Sequence, residues 1–285
     1  MLMPADASIA STFVTHDGVR LTYRDNGMSG TPLVMLHGWS QTQDMFRHQL
    51  GGLHRRVITL DQRGHGLSDK PHHGYRIARL AADLDELLDH LQLAEVDLLG
   101  WSMGVSVIWS YFDRFGTDRI RRFVAVDQPA AVAAVPWMSE EEKAESGAIF
   151  DVAGLLDLGA GLNGPDADAV GESFERSMFS GDTDPAILEY VIEEIKSSPA
   201  YARVPLLFDH CAQDWRDVLP RINIPTLVVG CDGSHVAPSS QQYIADRIPH
   251  AELHIFPTDI ASSHFVFLEN PPAFNAVVDE FLSRK

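Results

Sequence analysis

The chain has 285 residues and a formal net charge of −18 at pH 7, and 45% of its residues are hydrophobic. This length and composition predict a globular protein with one large core, with or without an insertion. Because the acidic excess repels phosphate groups, we expect neither nucleic-acid binding nor docking on an anionic membrane surface.

The chain also lacks the sequence features of secretion and membrane insertion. No run approaches the roughly 18 consecutive apolar residues that a membrane span requires. The segment 1–13 has no basic region followed by a continuous apolar run, so we expect no secretory signal. Only two cysteines occur, Cys211 and Cys231, too few to form a disulfide framework. We therefore expect a soluble, cytoplasmic protein.

The predicted elements alternate between strands and helices. Residues 11–27 form two alternating runs broken at Asp17-Gly18, which predicts a β-hairpin. Continuous apolar runs predict buried parallel strands at 31–38, 56–66 and 95–100, and further strands are predicted at 119–127, 224–230 and 251–257. Apolar residues at helical spacing predict helices at 75–93, 105–116, 241–247 and 273–282.

Strand-helix alternation of this kind predicts a parallel sheet with helices on both faces, an α/β fold. The alternation stops between Pro129 and Pro220, where the sequence is helical and irregular. We therefore assign residues 1–129 and 221–285 to an α/β core and residues 130–220 to a helical cap.

The segment 97–106, DLLGWSMGVS, contains a serine where a predicted strand gives way to a helix. Gly100 and Gly104 flank Ser102 at the two places where a sharp strand-to-helix turn needs close backbone approach. Such a turn lifts the serine hydroxyl clear of the sheet, beside a helix N-terminus. We interpret Ser102 as a nucleophile, which requires a base and a group that orients the base.

His264 is the strongest candidate for that base among 13 histidines. It follows the predicted strand 251–257 by a short loop, which returns it to the sheet edge that carries Ser102. His210 lies in the cap, where pocket lining and a structural role remain equally open. His65 is interpreted as a residue that fixes its loop by hydrogen bonds.

Four blocks of the sequence resemble the α/β-hydrolase superfamily, in its branch of small esterases, lactonases and perhydrolases. They are LHGWS at 36–40, DQRGHGLSDKP at 61–71, GWSMG at 100–104 and SHFVFLENP at 263–271. The resemblance implies a mostly parallel eight-stranded sheet, a helical cap at 130–220 and a triad in the chain order serine, acid, histidine.

The resemblance further implies an oxyanion hole formed by the backbone N–H groups of Trp39 and Met103. The acid departs from the family's usual pattern, which places it after the seventh strand. The matching position holds Ser234. We therefore assign the acid to Asp127, at the end of the sixth strand, and keep Asp232 in reserve.

Aromatic side chains of the core and cap are predicted to line a substrate pocket: Trp39, Trp101, Trp137, Phe150, Phe179 and Phe265. An apolar cavity under a cap suits a compact apolar or aromatic substrate. No spacing typical of metal ligands, phosphate loops or dinucleotide binding occurs, so we expect no metal and no cofactor. The sequence leaves the oligomeric state open.

Three functions remain to be weighed. The first is a serine hydrolase that cleaves a small apolar or aromatic ester or lactone with Ser102, His264 and Asp127. The second is a cofactor-independent dioxygenase that cleaves a 3-hydroxy-4-quinolone ring, in which His264 and Asp127 deprotonate the substrate. The chain resembles that branch in its acid after the sixth strand, its Gly-Trp pair and its RGHGLS block. The third is a ligand receptor without turnover.

Overall fold

The computed structural model describes residues 10–180 and 183–284. Eight strands form one sheet: β1 (Ser11–Val14), β2 (Arg20–Asp25), β3 (Leu33–Leu36), β4 (Val57–Asp61), β5 (Val96–Trp101), β6 (Ile120–Val126), β7 (Thr226–Cys231) and β8 (Ala251–Phe256). Their spatial order is β1-β2-β4-β3-β5-β6-β7-β8. The strand β2 pairs antiparallel with β1 and β4, and every other pairing is parallel. The predicted mostly parallel α/β architecture is confirmed.

Eleven helices are found among the described residues: α1 (Arg47–Gly52), α2 (Ile77–His90), α3 (Met103–Phe115), α4 (Glu140–Ser146), α5 (Val152–Leu162), α6 (Ala167–Arg176), α7 (Pro185–Ile195), α8 (Ala200–Cys211), α9 (Pro238–Arg247), α10 (Val266–Glu269) and α11 (Pro271–Ser283). The helices α9 and α11 begin two or three residues earlier than predicted. Each begins at a proline, which fits the first helical turn because its missing N–H would have no intrahelical partner there.

Both faces of the central strands β3, β4, β5 and β7 are buried, which explains their continuous apolar sequences. Side chains of a strand alternate between faces. Val34 and Leu36 therefore pack in one apolar cluster with residues of α2 and α3. Leu33 and Met35 pack in a second cluster with residues of α1 and α11.

The helices α4 to α8 lie within the interval 130–220 that was assigned to the cap. Two short parallel strands, Ala133–Ala134 and Phe150–Asp151, join the entry of this segment to the start of α5. They were not predicted, because two-residue strands leave no periodicity. Within the described part of the chain, no helix is both long and apolar enough to cross a bilayer.

The carboxyl ends of β5, β6 and β7 meet at one edge of the sheet. Trp101 pairs with Val126, and Val126 pairs with Val229. Past these residues, the Ser102 N–H donates to the Val126 carbonyl at 2.9 Å and the Asp127 N–H to the Val229 carbonyl at 2.8 Å. Parallel pairing therefore brings Ser102 and Asp127 out of the sheet side by side.

Candidate active site

Ser102 lies between β5 and α3 with a backbone φ of 53° and ψ of −128°. A positive φ is unfavourable for any residue other than glycine, and it costs about 1–3 kcal/mol of folding free energy. Close packing holds the turn. A Cβ on Gly100 would lie 2.6 Å from the Gly104 carbonyl carbon, and one on Gly104 would lie 2.2 Å from the Leu36 oxygen. The two glycines thus permit the sharp turn that presents the Ser102 side chain to the cleft.

The His264 ring forms a hydrogen bond with Asp127. Nδ1 of His264 lies 2.7 Å from Oδ2 of Asp127, and both side chains are buried. The Ser234 hydroxyl donates to the same Oδ2 at 2.5 Å. Asp127 also has a positive φ, 50°, a conformation that aspartate and asparagine tolerate better than most residues. A carboxylate acceptor at Nδ1 leaves Nε2 free to act as a base.

Burial sets the protonation of this pair. It lowers the pKa of His264, so the imidazole is neutral near pH 7 and can accept a proton. It raises the pKa of Asp127, and the hydrogen bond from Ser234 opposes that rise. Ser234 therefore favours the ionised carboxylate that holds His264 in place.

Asp232, the reserve candidate for the acid, does not lie beside His264. Asp232 is exposed, and its backbone N–H donates to the Phe256 carbonyl at 3.0 Å. Within the described chain, no hydrogen bond or ion pair joins the Asp232 carboxylate to His264. The structure brings Asp127, and not Asp232, to the histidine.

Ser102 and His264 line the same cleft, but the Ser102 hydroxyl makes no hydrogen bond within residues 10–180 and 183–284. Bonds between a nucleophile and its base are often long without substrate and shorten when substrate binds. The arrangement therefore suits two chemistries, one in which His264 activates Ser102 and one in which it deprotonates a bound substrate.

Two backbone N–H groups are free to bind a developing oxyanion. Those of Trp39 and Met103 donate to no acceptor in the part of the chain that the structure describes. The loop that carries Trp39 is fixed by Gln62, whose side chain donates to the His37 carbonyl at 2.7 Å. The Trp39 indole donates to the Arg203 carbonyl of α8 at 2.8 Å, which ties this loop to the cap.

The cleft above Ser102 is lined by residues of both the core and the cap. Three of the six predicted aromatic residues line it: Trp39, Trp101 and Phe150. The prediction was wrong for the other three. Trp137 is 82% exposed in the turn before α4, because no neighbouring element covers it. Phe179 and Phe265 stack with ring centroids 4.3 Å apart outside the cleft, since Phe265 belongs to the core beside Trp101.

Polar side chains of the cleft were largely missed by the sequence analysis. Gln41, Glu175 and His235 line it, as does His210, for which pocket lining was one of two interpretations. One signal for Glu175 was available. It lies four residues after Gly171, a spacing that places both residues on one face of α6, and these two are the buried residues of that helix.

Other buried charges serve the fold. The fully buried Arg63 guanidinium pairs with Asp83 and Asp17. Asp61 accepts hydrogen bonds from the backbone N–H groups of Gln43 and Leu67. Among the described residues, no group of three histidine, cysteine or acidic side chains is arranged to hold a metal ion.

Comparison with known proteins places these features in a family. A family model for the alpha/beta hydrolase fold matches residues 31–271. A non-heme chloroperoxidase of Kitasatospora aureofaciens is 31% identical, and the alignment covers 95% of this chain and 98% of the relative. A 3-oxoadipate enol-lactonase of Acinetobacter baylyi is 25% identical over 95% of this chain and 96% of its own. The solved structure of an esterase from Rhodococcus sp. ECU1013 superposes with a TM-score of 0.79 at 26% identity, covering 96% of this chain and 98% of the esterase.

Proposed function

Because the chain belongs to the α/β-hydrolase family, we propose that it is a serine hydrolase that cleaves small apolar or aromatic carboxylic esters or lactones. One observation carries the proposal. The buried Asp127–His264 hydrogen bond lies at the same sheet edge as the strained turn of Ser102. The named relatives include an esterase and an enol-lactonase, which supports ester or lactone cleavage.

In the proposed reaction, His264 Nε2 removes the Ser102 proton while the hydroxyl oxygen attacks the substrate carbonyl. The N–H groups of Trp39 and Met103 stabilise the oxyanion. His264 then returns the proton to the leaving oxygen, which breaks the ester bond and leaves an acyl group on Ser102. Water, deprotonated by His264, releases the acid. Asp127 keeps Nδ1 protonated throughout and stabilises the imidazolium.

The walls of the cleft support a compact apolar or aromatic substrate. Trp39 and Phe174 meet edge to face with centroids 5.8 Å apart, and Phe150 stacks on Phe174 at 5.7 Å. These rings come from both core and cap, so the substrate is enclosed between them. Aromatic walls favour flat apolar acyl or alcohol groups.

The test is hydrolysis of 4-nitrophenyl butanoate together with labelling by a fluorophosphonate probe. We expect Ser102→Ala to lower kcat by at least about 10³-fold, and mass spectrometry to locate the label on Ser102. Ser283→Ala, at an exposed position near the end of α11, is the matched control and should retain both. Full activity in Ser102→Ala, or a label on another residue, would refute the proposal.

The buried Asp127–His264 hydrogen bond, which would equally orient a base that acts on the substrate, supports a second candidate, a cofactor-independent dioxygenase. Here His264 removes the 3-hydroxyl proton of a 3-hydroxy-4-quinolone, and molecular oxygen reacts with the resulting anion. Oxygen uptake on adding 3-hydroxy-4-quinolone tests it. We expect uptake to survive in Ser102→Ala and to vanish in His264→Ala, and no uptake by the unmodified protein eliminates this candidate.

A further inference from the structure

Three polar side chains from separate elements line the cleft away from the Asp127–His264 pair. Gln41 follows β3, Glu175 lies in α6 and His210 lies in α8. All three are almost fully buried, with exposed fractions of 1%, 2% and 4%. The mechanism proposed above gives none of them a role.

Several polar atoms of these side chains have no hydrogen-bond partner. Within the described residues, neither Oε1 nor Nε2 of Gln41 has a partner, and Nδ1 of His210 has none. Glu175 Oε1 accepts a hydrogen bond from the Ser40 hydroxyl at 3.2 Å. Buried polar atoms are normally paired, because an unpaired one loses its hydration without compensation. Unpaired atoms on residues that line the cleft indicate a binding partner there.

The three groups are neutral near pH 7. Burial raises the pKa of Glu175 to about 8. The Ser40 hydroxyl, the Gln41 amide beside the carboxyl and the charge of Arg203 oppose this rise without cancelling it, so the carboxyl keeps a proton and can donate. Burial lowers the pKa of His210 to about 3. Among the described residues that line the cleft, none is a lysine or arginine. The site therefore suits an uncharged group with both donor and acceptor atoms, and it disfavours a carboxylate.

We propose that Gln41, Glu175 and His210 form a subsite that binds an amide group of the substrate, the amide subsite. An amide presents an N–H and a C=O together, which matches the donor and acceptor of the Gln41 side chain. The inference rests on the proposed function, because it places the amide on an ester or lactone cleaved at Ser102. An alkyl chain of the same length would leave the polar atoms of this subsite unpaired.

A matched series of esters tests the proposal in the unmodified protein. The substrates are 4-nitrophenyl 3-acetamidopropanoate, 4-nitrophenyl 5-oxohexanoate, which replaces the N–H by CH₂, and 4-nitrophenyl hexanoate, which lacks both polar groups. We expect kcat/KM to be about tenfold higher for the amide than for the ketone, and lowest for the hexanoate. Values within twofold across the series would overturn the proposal.

A variant of Gln41 tests whether the preference for the amide ester over the ketone ester arises at the amide subsite. Gln41→Met keeps the volume of the side chain and removes its amide, and should reduce the amide-to-ketone ratio to about one. Gln242→Met is the matched control, since Gln242 lies in α9 with its amide bonded to exposed Asp246. It should leave the ratio unchanged. An unchanged ratio in Gln41→Met would overturn the proposal.

A binding measurement separates this proposal from the proposed function. If no ester in the series is hydrolysed, the hydrolase assignment fails, but the subsite is still tested by titration calorimetry with N-butylacetamide and 2-heptanone, which differ only by N–H against CH₂. We expect the amide to bind at least about fivefold more tightly, and the difference to vanish in Gln41→Met. Equal dissociation constants would overturn the amide subsite independently of turnover.

Discussion

The loops that follow β6 and β7 leave adjacent strands at the same edge of the sheet, yet they contribute different groups to the site. The loop after β6 supplies Asp127, a fully buried carboxylate bonded to His264. The loop after β7 carries its own aspartate, Asp232, out to solvent, and supplies instead the Ser234 hydroxyl that donates to Asp127.

This difference shows that the carboxylate next to His264 comes from the loop after β6, and not from the loop after β7. Oδ2 of Asp127 contacts both His264 Nδ1 and the Ser234 hydroxyl, so the side chain at 234 lies one hydrogen bond away from the pair. In this chain, position 234 holds a donor that favours ionisation of Asp127. The carboxylate that contacts His264 and the hydroxyl that donates to that carboxylate therefore come from the loops after neighbouring strands.

The largest expected effect comes from Asp127→Asn. Asparagine tolerates the positive φ of this position and keeps the shape of the side chain. Its amide is expected to stabilise the wrong tautomer of His264, with no proton on Nδ1. We expect kcat for 4-nitrophenyl butanoate to fall by about 10³- to 10⁴-fold, as for the corresponding change in a serine protease triad. Thermal unfolding should show that the variant is folded, and a loss below tenfold would show that another group orients His264.

A smaller effect on kcat is expected when the carboxylate is moved from the loop after β6 to the loop after β7. Asp127→Ser should be nearly inactive, and adding Ser234→Asp should recover kcat by at least about tenfold, because side chains at 127 and 234 are in hydrogen-bond contact. The single variant Ser234→Asp completes the double-mutant cycle. Recovery would demonstrate that the two loops are interchangeable as sources of the acid, and its absence would show that the backbone at 127 is essential.

Removing the Ser234 hydroxyl while keeping the Asp127 carboxylate should change the pH dependence of kcat/KM. Ser234→Ala deletes a hydrogen bond that lowers the pKa of Asp127, so that pKa rises further. Since the ionised carboxylate is the active form, activity then requires a higher pH. We expect the acidic limb of the kcat/KM profile to move upward by about one pH unit. Ser234→Thr, which retains the hydroxyl, should leave the limb in place, and a limb that moves downward would contradict the role given to Ser234.

Much of this site follows from local sequence signals. The spacing of Gly100 and Gly104 around Ser102 is a backbone requirement, and the end of an apolar strand places Asp127 at the sheet edge. The absence of an acid at position 234 directs attention to the sixth strand. Such signals are readable because each depends on residues near in sequence or on parallel pairing of adjacent strands.

The cleft walls were less predictable, because packing between distant segments orients them. Trp137 looked like a pocket residue by composition, but it projects into solvent, while Phe265 packs in the core. Conversely, the sequence analysis did not single out Glu175, but the helix α6 turns it inward. Apolar residue type alone cannot distinguish a cap's own core from the lining of the cleft beneath it.

The smallest expected effect completes the comparison of the two loops. Asp232 precedes Ser234 by two residues, but its exposed carboxylate has no part in the bonding of His264, and the backbone N–H that anchors it to Phe256 is kept in Asp232→Asn. We expect kcat/KM for 4-nitrophenyl butanoate to change by less than about twofold, as for most exposed substitutions away from a site. Measuring kcat/KM for Asp232→Asn and for Asp127→Asn under the same conditions compares the contributions of the two aspartates directly. A loss above tenfold would move the acid to the loop after β7, because only an Asp232 carboxylate that reaches His264 during turnover would explain it.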